Sequence, residues 1–419
     1  MPQKYTFPKK FLWGAATSAH QVEGGTHNQW SVWEFENAKL LAKQAKSKLK
    51  GLENWNEIQR DATDPNNYIS GRAVDHYRRY EEDFDHLVDL NMNAFRFSIE
   101  WSRIEPEMGQ WDQREIEHYR RYLAALKARG ITPVVTMFHW TTPLWFAHKG
   151  GFEKRQNIHY FVRFCEKVFT ELGSQFRLVC TFNEPEVYVA FGWLHEGEWP
   201  PSKRGKFLLG YYTYRNIAIA HNRVVKMARR KKFRLKLGTT KNMANHYAAD
   251  KALRTKLFMK FVMYVEDYMY LDRTRRYTDW IGVNYYFSNR YHGGLLANKA
   301  TYVQDLGWEM KPDDISFVLE RVYKRYKKPI IITENGVADA NDRYRKWWIA
   351  HTIDAIHRSL KKGVDVRGYM HWSLIDNFEW AYGKWPKFGL IEVDYRTMKR
   401  TPRSSAIWFG KVIKQLRDQ

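Results

Sequence analysis

The chain has 419 residues, of which 44% are hydrophobic and 16% aromatic, and it carries a formal net charge of +23. Its two cysteines, Cys165 and Cys180, are too few for a disulfide framework or a four-ligand zinc site, so we expect both thiols to be buried. The N-terminal stretch MPQKYTFPKKFLWG lacks the apolar core of a signal peptide, and no stretch approaches a membrane span, which predicts a cytoplasmic protein without a membrane partner.

Strand-like runs alternate with helical patterns along the chain. Between the runs, apolar residues recur at three- and four-residue steps, as they do from Ile116 to Leu126 and from Ile349 to Leu360, which predicts amphipathic helices. The runs are FLWGAATSA from Phe11, NAFRFSIEW from Asn93, ITPVVTMFHW from Ile131, LVCTFNE from Leu178, LKLGTTKNM from Leu235, WIGVNYY from Trp280, PIIITENG from Pro329 and VRGYMHWSLID from Val366.

Eight such units favour an α/β fold of one (β/α)8 TIM barrel with inserted βα loops. An open, doubly wound sheet is the alternative, and the absence of a GxGxxG turn counts against it. No linker rich in proline, glycine and serine divides the chain, so we expect one catalytic domain over residues 1–419.

Two basic segments need an interpretation. AKLLAKQAKSKLKGL, which follows Trp33, is typical either of a membrane-surface helix or of a loop helix over the barrel mouth, and its short pattern favours the loop helix. RRKKFRLK, from Arg229 to Lys236, lies at a predicted helix C-terminus, where cations are favourable. No nucleic-acid-binding signature accompanies the charge, so we expect no nucleic-acid partner.

The second strand carries a charged residue on its inner face. Alternation places Phe95 against the helices and Arg96 inside the barrel. A buried guanidinium requires a carboxylate nearby. Glu334 is the expected partner, because it ends the seventh run, on the face that Ile330 and Ile332 share.

Polar and aromatic residues collect where the runs end. The carboxyl ends of parallel strands meet at one mouth of a barrel, where active sites are built. Two of these residues, Glu184 and Glu334, could be salt-bridge partners, helix caps, metal ligands or a catalytic pair. The set is Gln21, His139, Asn183, Glu184, Asn242, Tyr286, Glu334 and Trp372.

Two carboxyl groups in different environments suit hydrolysis of a glycosidic bond, which needs one acid and one ionised nucleophile. Arg96 and Tyr286 would stabilise the charge of Glu334, while partial desolvation would raise the pKa of Glu184. The 18 tryptophans suit a site for sugar rings, although most are expected to pack the core. A metal site is the competing use, but the sequence contains no HExxH motif and no cluster of histidine ligands.

The motifs as a set resemble those of glycoside hydrolase family 1, the retaining β-glucosidase and β-galactosidase family, over essentially the whole chain. The resemblance implies an exo-acting β-glycosidase that takes small β-glucosides or oligosaccharides, without a cofactor or metal. The matching segments, in family order, are FLWGAATSAHQVEG, AFRFSIEWSRIEP, TMFHWTTP, TFNEP, GVNYY, GWE, ITENGVAD and WSLIDNFEWAYG.

The resemblance also implies a role for each site residue. Glu184 would be the acid/base and Glu334 the nucleophile, with carboxyl oxygens about 5 Å apart, as retention requires. Asn183 would contact the 2-hydroxyl, Trp372 would lie beneath the sugar ring, and Trp308 would line the leaving-group subsite. Residues that would support the nucleophile are Arg96, Asn284 and Tyr286, and those that would bind the other sugar hydroxyls are Gln21, His139, Trp140, Glu379 and Trp380.

Two lysines, Lys384 and Lys387, stand where the family commonly has tyrosine and arginine. They raise the alternative of a 6-phospho-β-glycosidase, against which Glu379 argues, since a carboxylate beside the 6-position would repel a phosphate. The second alternative, a non-catalytic glycan-binding protein on the same fold, is disfavoured because both glutamates are present.

Overall fold

The computed structural model describes residues 5–194, 199–298 and 302–418. Eight parallel strands close into a barrel in chain order, and the first strand pairs with the eighth from Leu12 and Gly368 to Ala16 and Trp372. All eight predicted runs and the TIM barrel are therefore confirmed, and the open sheet is excluded. The strands are β1 Leu12–Ala16, β2 Ala94–Ser98, β3 Thr132–Thr136, β4 Leu178–Asn183, β5 Lys236–Asn242, β6 Trp280–Tyr285, β7 Ile330–Asn335 and β8 Val366–Trp372.

Helices surround the barrel and fill the loops between its strands. The longer ones are α1 Gln29–Leu49, α2 Trp55–Ala62, α3 His76–Asp89, α4 Gln113–Ala128, α5 Ile158–Leu172, α6 Phe207–Arg230, α7 Leu253–Met263, α8 Ile315–Tyr326, α9 Arg345–Lys361 and α10 Ser404–Arg417. Short α-helices are Ala19–Val22, Trp101–Ile104, Leu144–His148, Pro185–Val189 and Met269–Thr274.

Single turns and short strands complete the loops. The 3₁₀ turns are Pro65–Tyr68, Gly151–Glu153, Arg155–Asn157, Pro312–Asp314 and Trp380–Tyr382, and the π-helical segments are Ala190–Leu194 and Tyr264–Tyr268. Outside the barrel, Asn245–Ala248, Ser288–His292 and Leu295–Leu296 form a small sheet, and Ile391–Val393 pairs with Arg400–Pro402.

The two faces of the barrel wall carry different side chains, as the alternation in β2 predicts. Phe95 and Phe97 pack outward, where the Phe97 ring lies 4.7 Å from that of Tyr122 on α4. Inside, the large Trp280 ring fills space that Gly238 leaves open, because a Cβ on that glycine would lie 2.4 Å from the indole. The interior is therefore a packed floor beneath the mouth rather than a channel.

Both basic segments have structural explanations. The lysine-rich segment belongs to α1, whose residues Ala38, Ala42 and Ala45 are buried, and Gln29 Nε2 at its start donates to the Trp140 carbonyl at the barrel mouth. The segment is thus a helix in the first loop of the barrel. Arg229 and Arg230 are exposed in the last turn of α6. In the part of the chain that the structure describes, no helix is long and apolar enough to cross a bilayer.

The two cysteines are free and buried, as predicted. Cys165 lies on the apolar face of α5 and Cys180 inside β4, and burial raises the pKa of both thiols.

Candidate active site

A cavity of about 670 Å³ opens at the carboxyl ends of the barrel strands. It brings together residues that the sequence places far apart. The predicted residues that line it are Gln21, His139, Trp140, Glu184, Asn242, Tyr286, Trp308, Glu334, Trp372, Glu379 and Trp380. Three further predicted residues, Arg96, Asn183 and Asn284, lie fully buried beneath the cavity, where they hold the two glutamates.

Glu334 is held by two donors at the end of β7. Arg96 Nη1 forms an ion pair with its Oε1, and the Tyr286 hydroxyl donates to its Oε2 at 2.7 Å. The guanidinium is itself fixed, since Nε donates to Thr136 Oγ1 at 3.1 Å and Nη1 to the Thr333 carbonyl at 3.2 Å. Each carboxylate oxygen therefore has its own donor, and the two contacts fix the position of the group at the cavity. The predicted pairing of Arg96 with an inward acid is confirmed.

The strand alternation behind that prediction does not hold at Glu334. Ile330 and Ile332 pack in the outer core, while the carboxylate of Glu334 reaches Arg96 inside the barrel. A register shift between Ile332 and Glu334, in the pairing of β7 with β6, turns the side chain inward. An irregularity of this kind re-aims a side chain at a barrel rim, and simple alternation cannot foresee it.

Asn284 contacts Glu184, whereas the sequence predicts that it supports Glu334. Its Nδ2 donates to Glu184 Oε1 at 2.6 Å and to Asn183 Oδ1 at 3.2 Å, and its own Oδ1 accepts from Thr333 Oγ1 at 2.7 Å. The prediction that it supports Glu334 is corrected, because the short amide group at the end of β6 faces β4. Asn183 Oδ1 also accepts from Arg96 Nη2 at 2.6 Å, so one network links both carboxyl groups.

Glu184 lies in a setting that favours its protonated form. Burial and the negative charges of Glu334 and Glu186 raise its pKa well above the usual range, against the opposing effects of the Asn284 hydrogen bond and of Arg96. No cation contacts this carboxyl group within the hydrogen bonds and ion pairs of the described residues. One glutamate of the cavity is therefore driven toward its protonated form, while a guanidinium and a phenol hydroxyl hold the other, an arrangement that suits an acid and a nucleophile.

An ion pair near Glu184 was not predicted from the sequence. Lys241 on β5 is fully buried and pairs with Glu186, whose Oε1 also accepts from the Asn242 backbone N–H at 2.7 Å. A buried cation requires a carboxylate nearby, and this argument applies to Lys241 in the run LKLGTTKNM as it does to Arg96. The sequence could therefore have predicted an acid beside Lys241. Burial raises the pKa of Glu186, and Lys241 opposes that effect.

One wall of the cavity presents hydrogen-bonding groups beside stacked rings. Asn183 Nδ2 donates to His139 Nε2 at 3.2 Å, and burial, helped by Arg96, lowers the pKa of this histidine well below its usual range. The neutral ring therefore carries its proton on Nδ1, for which the described residues provide no hydrogen-bond partner. The His139 ring stacks on that of Trp372 at 5.9 Å.

Gln21 and Glu379 face the cavity together. Gln21 Nε2 donates to the Phe378 carbonyl at 2.8 Å and to Glu379 Oε2 at 3.3 Å. Burial and the charge of Glu334 raise the pKa of Glu379 to about 8. The sequence predicts that Trp140 binds a sugar hydroxyl. Its indole N–H instead donates to the Asn183 carbonyl at 3.1 Å, so only the ring of Trp140 is available to a ligand. Trp380 stacks on His20 at 5.5 Å.

Three lining residues adopt the left-handed backbone conformation that favours glycine. They are Trp140 with φ 71°, Glu184 with φ 41° and Trp380 with φ 51°. Each such residue costs about 1–3 kcal/mol, and strain of this kind concentrates at functional sites. The surrounding structure holds these side chains in place at a cost to stability, which supports a functional interpretation of the cavity.

The remaining predicted residues have less specific contacts. Trp308 is half-buried and packs edge-on against Tyr286 and Phe287, with ring centroids 6.0 and 5.5 Å away.

A metal site has no support in the side chains: among residues 5–194, 199–298 and 302–418, no three His, Cys, Asp or Glu are grouped to hold an ion.

Comparison with known proteins gives consistent matches over the whole length. The model of glycosyl hydrolase family 1 matches residues 3–263 and 259–417. Beta-glucosidase A of Thermotoga maritima is 31% identical over 97% of this chain and 98% of its own length. A beta-glycosidase structure from Pyrococcus horikoshii is 33% identical, with a TM-score of 0.85 over 98% of this chain and 96% of that one. The Thermotoga maritima beta-glucosidase in complex with noeuromycin is 28% identical, with a TM-score of 0.84 over 99% of both chains.

Proposed function

The chain belongs to glycosyl hydrolase family 1 and is a β-glycosidase, and from this premise we propose that it releases terminal β-D-glycosyl residues by a retaining double displacement. Glucose is the proposed sugar, with galactose and fucose as further candidates. The observation that carries the proposal is the opposite treatment of two glutamates in one cavity: Arg96 and Tyr286 hold Glu334, whereas burial raises the pKa of Glu184.

In the first step, Glu334 attacks the anomeric carbon while Glu184 protonates the departing glycosidic oxygen. The bond to the leaving group breaks, and an ester forms between the sugar and Glu334. The ester carries no charge, so the repulsion that raised the pKa of Glu184 is removed at that moment. The ionised Glu184 then accepts a proton from water, which attacks the same carbon and releases the β-anomer.

The polar wall supplies the contacts for the glycosyl unit. His139 Nδ1, the free hydrogen of Asn183 Nδ2, the Gln21 amide and the Glu379 carboxyl group are proposed to bind sugar hydroxyls. Trp372 is proposed to lie beneath the ring, because an indole face matches the apolar face of a pyranose. Trp140 and Trp380 would contribute ring surface. Trp308 is proposed to line the leaving-group side.

The phospho-glycosidase alternative loses its motivation in the structure. Lys384 Nζ donates to the Asn66 carbonyl at 3.3 Å and Lys387 Nζ to the Lys384 carbonyl at 2.8 Å, so both amino groups are used outside the cavity. No lysine or arginine occurs among the described residues that line the cavity. The lack of a cation argues more strongly against a phosphorylated substrate than the charge of Glu379 does. A pKa of about 8 leaves Glu379 largely uncharged at neutral pH, so its repulsion of a phosphate would be weak.

Three assignments remain predictions: the single catalytic domain over residues 1–419, the cytoplasmic location and the absence of a nucleic-acid partner. The domain assignment is supported by the barrel, whose first strand begins at Leu12, and by the last helix, which ends at Arg417.

The pH dependence of kcat/KM tests the state of Glu184. Because the acid must be protonated, we expect activity to fall as the pH rises through the raised pKa, well above the value of about 4.3 for an ordinary glutamate. Glu186→Gln removes a charge that raises this pKa, so the alkaline limb should move to lower pH. Glu186→Asp keeps the charge and is the matched control. An alkaline limb at the same pH in the glutamine variant would contradict the assignment.

A panel of p-nitrophenyl glycosides tests the substrate class. We expect release of p-nitrophenol from the β-D-glucoside, and turnover of the β-D-galactoside and β-D-fucoside would define the epimers accepted. The α-D-glucoside should be inert. Preference for the 6-phospho-β-D-glucoside over the unphosphorylated glucoside would overturn the proposal in favour of the phospho-glycosidase alternative.

A further inference from the structure

The cavity is larger than one glycosyl unit needs. Its volume of about 670 Å³ lies within the range of about 300–1,000 Å³ that holds drug-sized ligands. The polar wall at one end accounts for the glycosyl residue. Much of the remaining lining comes from three segments beyond the barrel, which are Pro185–Leu194, the first turns of α6, and Tyr264–Met269. This second region, which we call the outer wall, therefore faces the leaving group.

The outer wall is mainly apolar. Val187, Val189, Phe191, Leu194, Phe207 and Met269 line it. Phe207 is 66% exposed and Tyr211, one turn further along α6, is 43% exposed, although both line the cavity. They form its lip. Large apolar side chains left in water at the edge of a cavity indicate a surface that an apolar partner covers.

Several polar groups of the outer wall already have partners within the protein. Glu186 pairs with Lys241, and the Tyr214 hydroxyl accepts from the same amino group at 3.1 Å. The Tyr211 hydroxyl accepts from Arg273 Nη2 at 3.3 Å, whereas Glu266 Oε2 lies 3.8 Å from His246 Nε2, beyond hydrogen-bond distance. A second sugar unit would need donors and acceptors for several hydroxyls, and this wall has few to offer. An apolar leaving group needs none.

Further apolar side chains are exposed on α6 and α7, close in the chain to residues that line the cavity. Leu208 on α6 is 76% exposed, and Phe261 on α7 is 64% exposed. Helix α7 leads directly into Tyr264–Tyr268, whose Val265 lines the cavity. An extended chain that leaves the cavity over this lip would therefore remain in contact with apolar side chains.

We propose that the preferred substrates are β-glycosides whose aglycone is an extended apolar chain, which lies along the outer wall and passes between Phe207 and the segment Tyr264–Met269. This inference rests on the proposed glycosidase function and deepens it, because it assigns a chemical class to the leaving group. Affinity for such an aglycone grows with each methylene that leaves water.

A series of n-alkyl β-D-glucopyranosides from methyl to octyl, each kept below the concentration at which it forms micelles, tests the proposal. We expect kcat/KM to rise by about two- to fourfold for each methylene over several members, the upper value being the factor that corresponds to about 0.8 kcal/mol per buried CH₂. Cellobiose is measured in parallel. A flat series, or a larger kcat/KM for cellobiose than for the octyl glucoside, overturns the proposal while hydrolysis itself stands. If the protein hydrolyses neither the alkyl glucosides nor p-nitrophenyl β-D-glucoside, the glycosidase function is overturned as well.

Two exposed phenylalanines offer a matched pair of variants. Phe207→Ser should lower the ratio of kcat/KM for octyl over methyl glucoside by about three- to tenfold, since most of one aromatic contact is lost. Phe317→Ser, at a side chain that is 58% exposed on α8 and outside the cavity lining, should leave the ratio at its original value. Equal ratios in both variants would contradict the assignment of the lip. The high exposure of both positions makes loss of folding a minor concern.

Discussion

Replacing Glu334 with alanine is expected to lower kcat for p-nitrophenyl β-D-glucopyranoside by at least about 10⁴-fold, the order of loss seen when an enzyme loses its nucleophile. The variant has no carboxylate to form the glycosyl ester, and Arg96 and Tyr286 are left without their acceptor. The measurement is the steady-state rate of p-nitrophenol release by purified protein. The melting temperature of the variant shows whether the fold has survived.

Azide provides the sharper readout for this variant. A small anion can enter the space that the carboxylate leaves and attack the anomeric carbon from the same side. Partial recovery of the rate with formation of the α-glucosyl azide is therefore expected. The matched control is Asp279→Ala, an acid at the opposite end of the barrel that accepts from the Leu237 N–H at 2.9 Å, and it should change kcat by no more than about twofold. Activity of Glu334→Ala near that of the parent enzyme would remove Glu334 from the mechanism.

Replacing Glu184 with alanine is expected to lower kcat by about 10²–10⁴-fold, the usual contribution of general acid–base catalysis. The loss should depend on the leaving group. A 2,4-dinitrophenolate departs without protonation, so its glucoside should still form the glycosyl-enzyme quickly and then stall, because no base activates water. A burst of dinitrophenol followed by a slow steady state is the expected trace in stopped-flow absorbance.

Two observations distinguish this role from a structural one. Azide should react with the stalled glycosyl-enzyme and give the β-glucosyl azide, the opposite anomer from the Glu334 variant. The alkaline limb of kcat/KM should also disappear, because the group with the raised pKa is gone. If Glu184→Ala keeps that limb, another residue supplies the proton.

The sequence predicts the barrel and the central pair well, for physical reasons that particular residues illustrate. Strand-like runs recur with helical patterns between them. A guanidinium in the middle of β2 cannot be buried without an acid, so Arg96 by itself indicates an inward carboxylate such as that of Glu334. The ends of parallel strands share one mouth, so residues as distant as Gln21 and Glu379 can be expected to meet.

Other features depend on local geometry that a sequence pattern does not contain. The register shift in β7 aims Glu334 inward against the alternation of Ile330 and Ile332. Asn284 reaches Glu184 rather than Glu334, and the Trp140 indole N–H is taken by a backbone carbonyl. Contacts of this kind depend on backbone displacements smaller than the spacing between neighbouring residues, which a sequence pattern does not record.

The outer wall was beyond prediction for a different reason. Phe207, Tyr211 and Val265 belong to loop and helix segments that follow different strands. Periodicity identifies such residues as apolar without showing which cavity they reach. Lys241 is the exception, since a buried lysine could have been matched with Glu186 by the same argument as Arg96.

The central claim is that Glu334 acts as a nucleophile and Glu184 as the acid and then the base. The most direct test is proton NMR of the anomeric signals while the enzyme hydrolyses p-nitrophenyl β-D-glucopyranoside, recorded before mutarotation equilibrates the product. Two displacements at one carbon predict that β-glucose appears first and α-glucose only later. If α-glucose appears first, water attacks the substrate directly, and the covalent role of Glu334 is refuted.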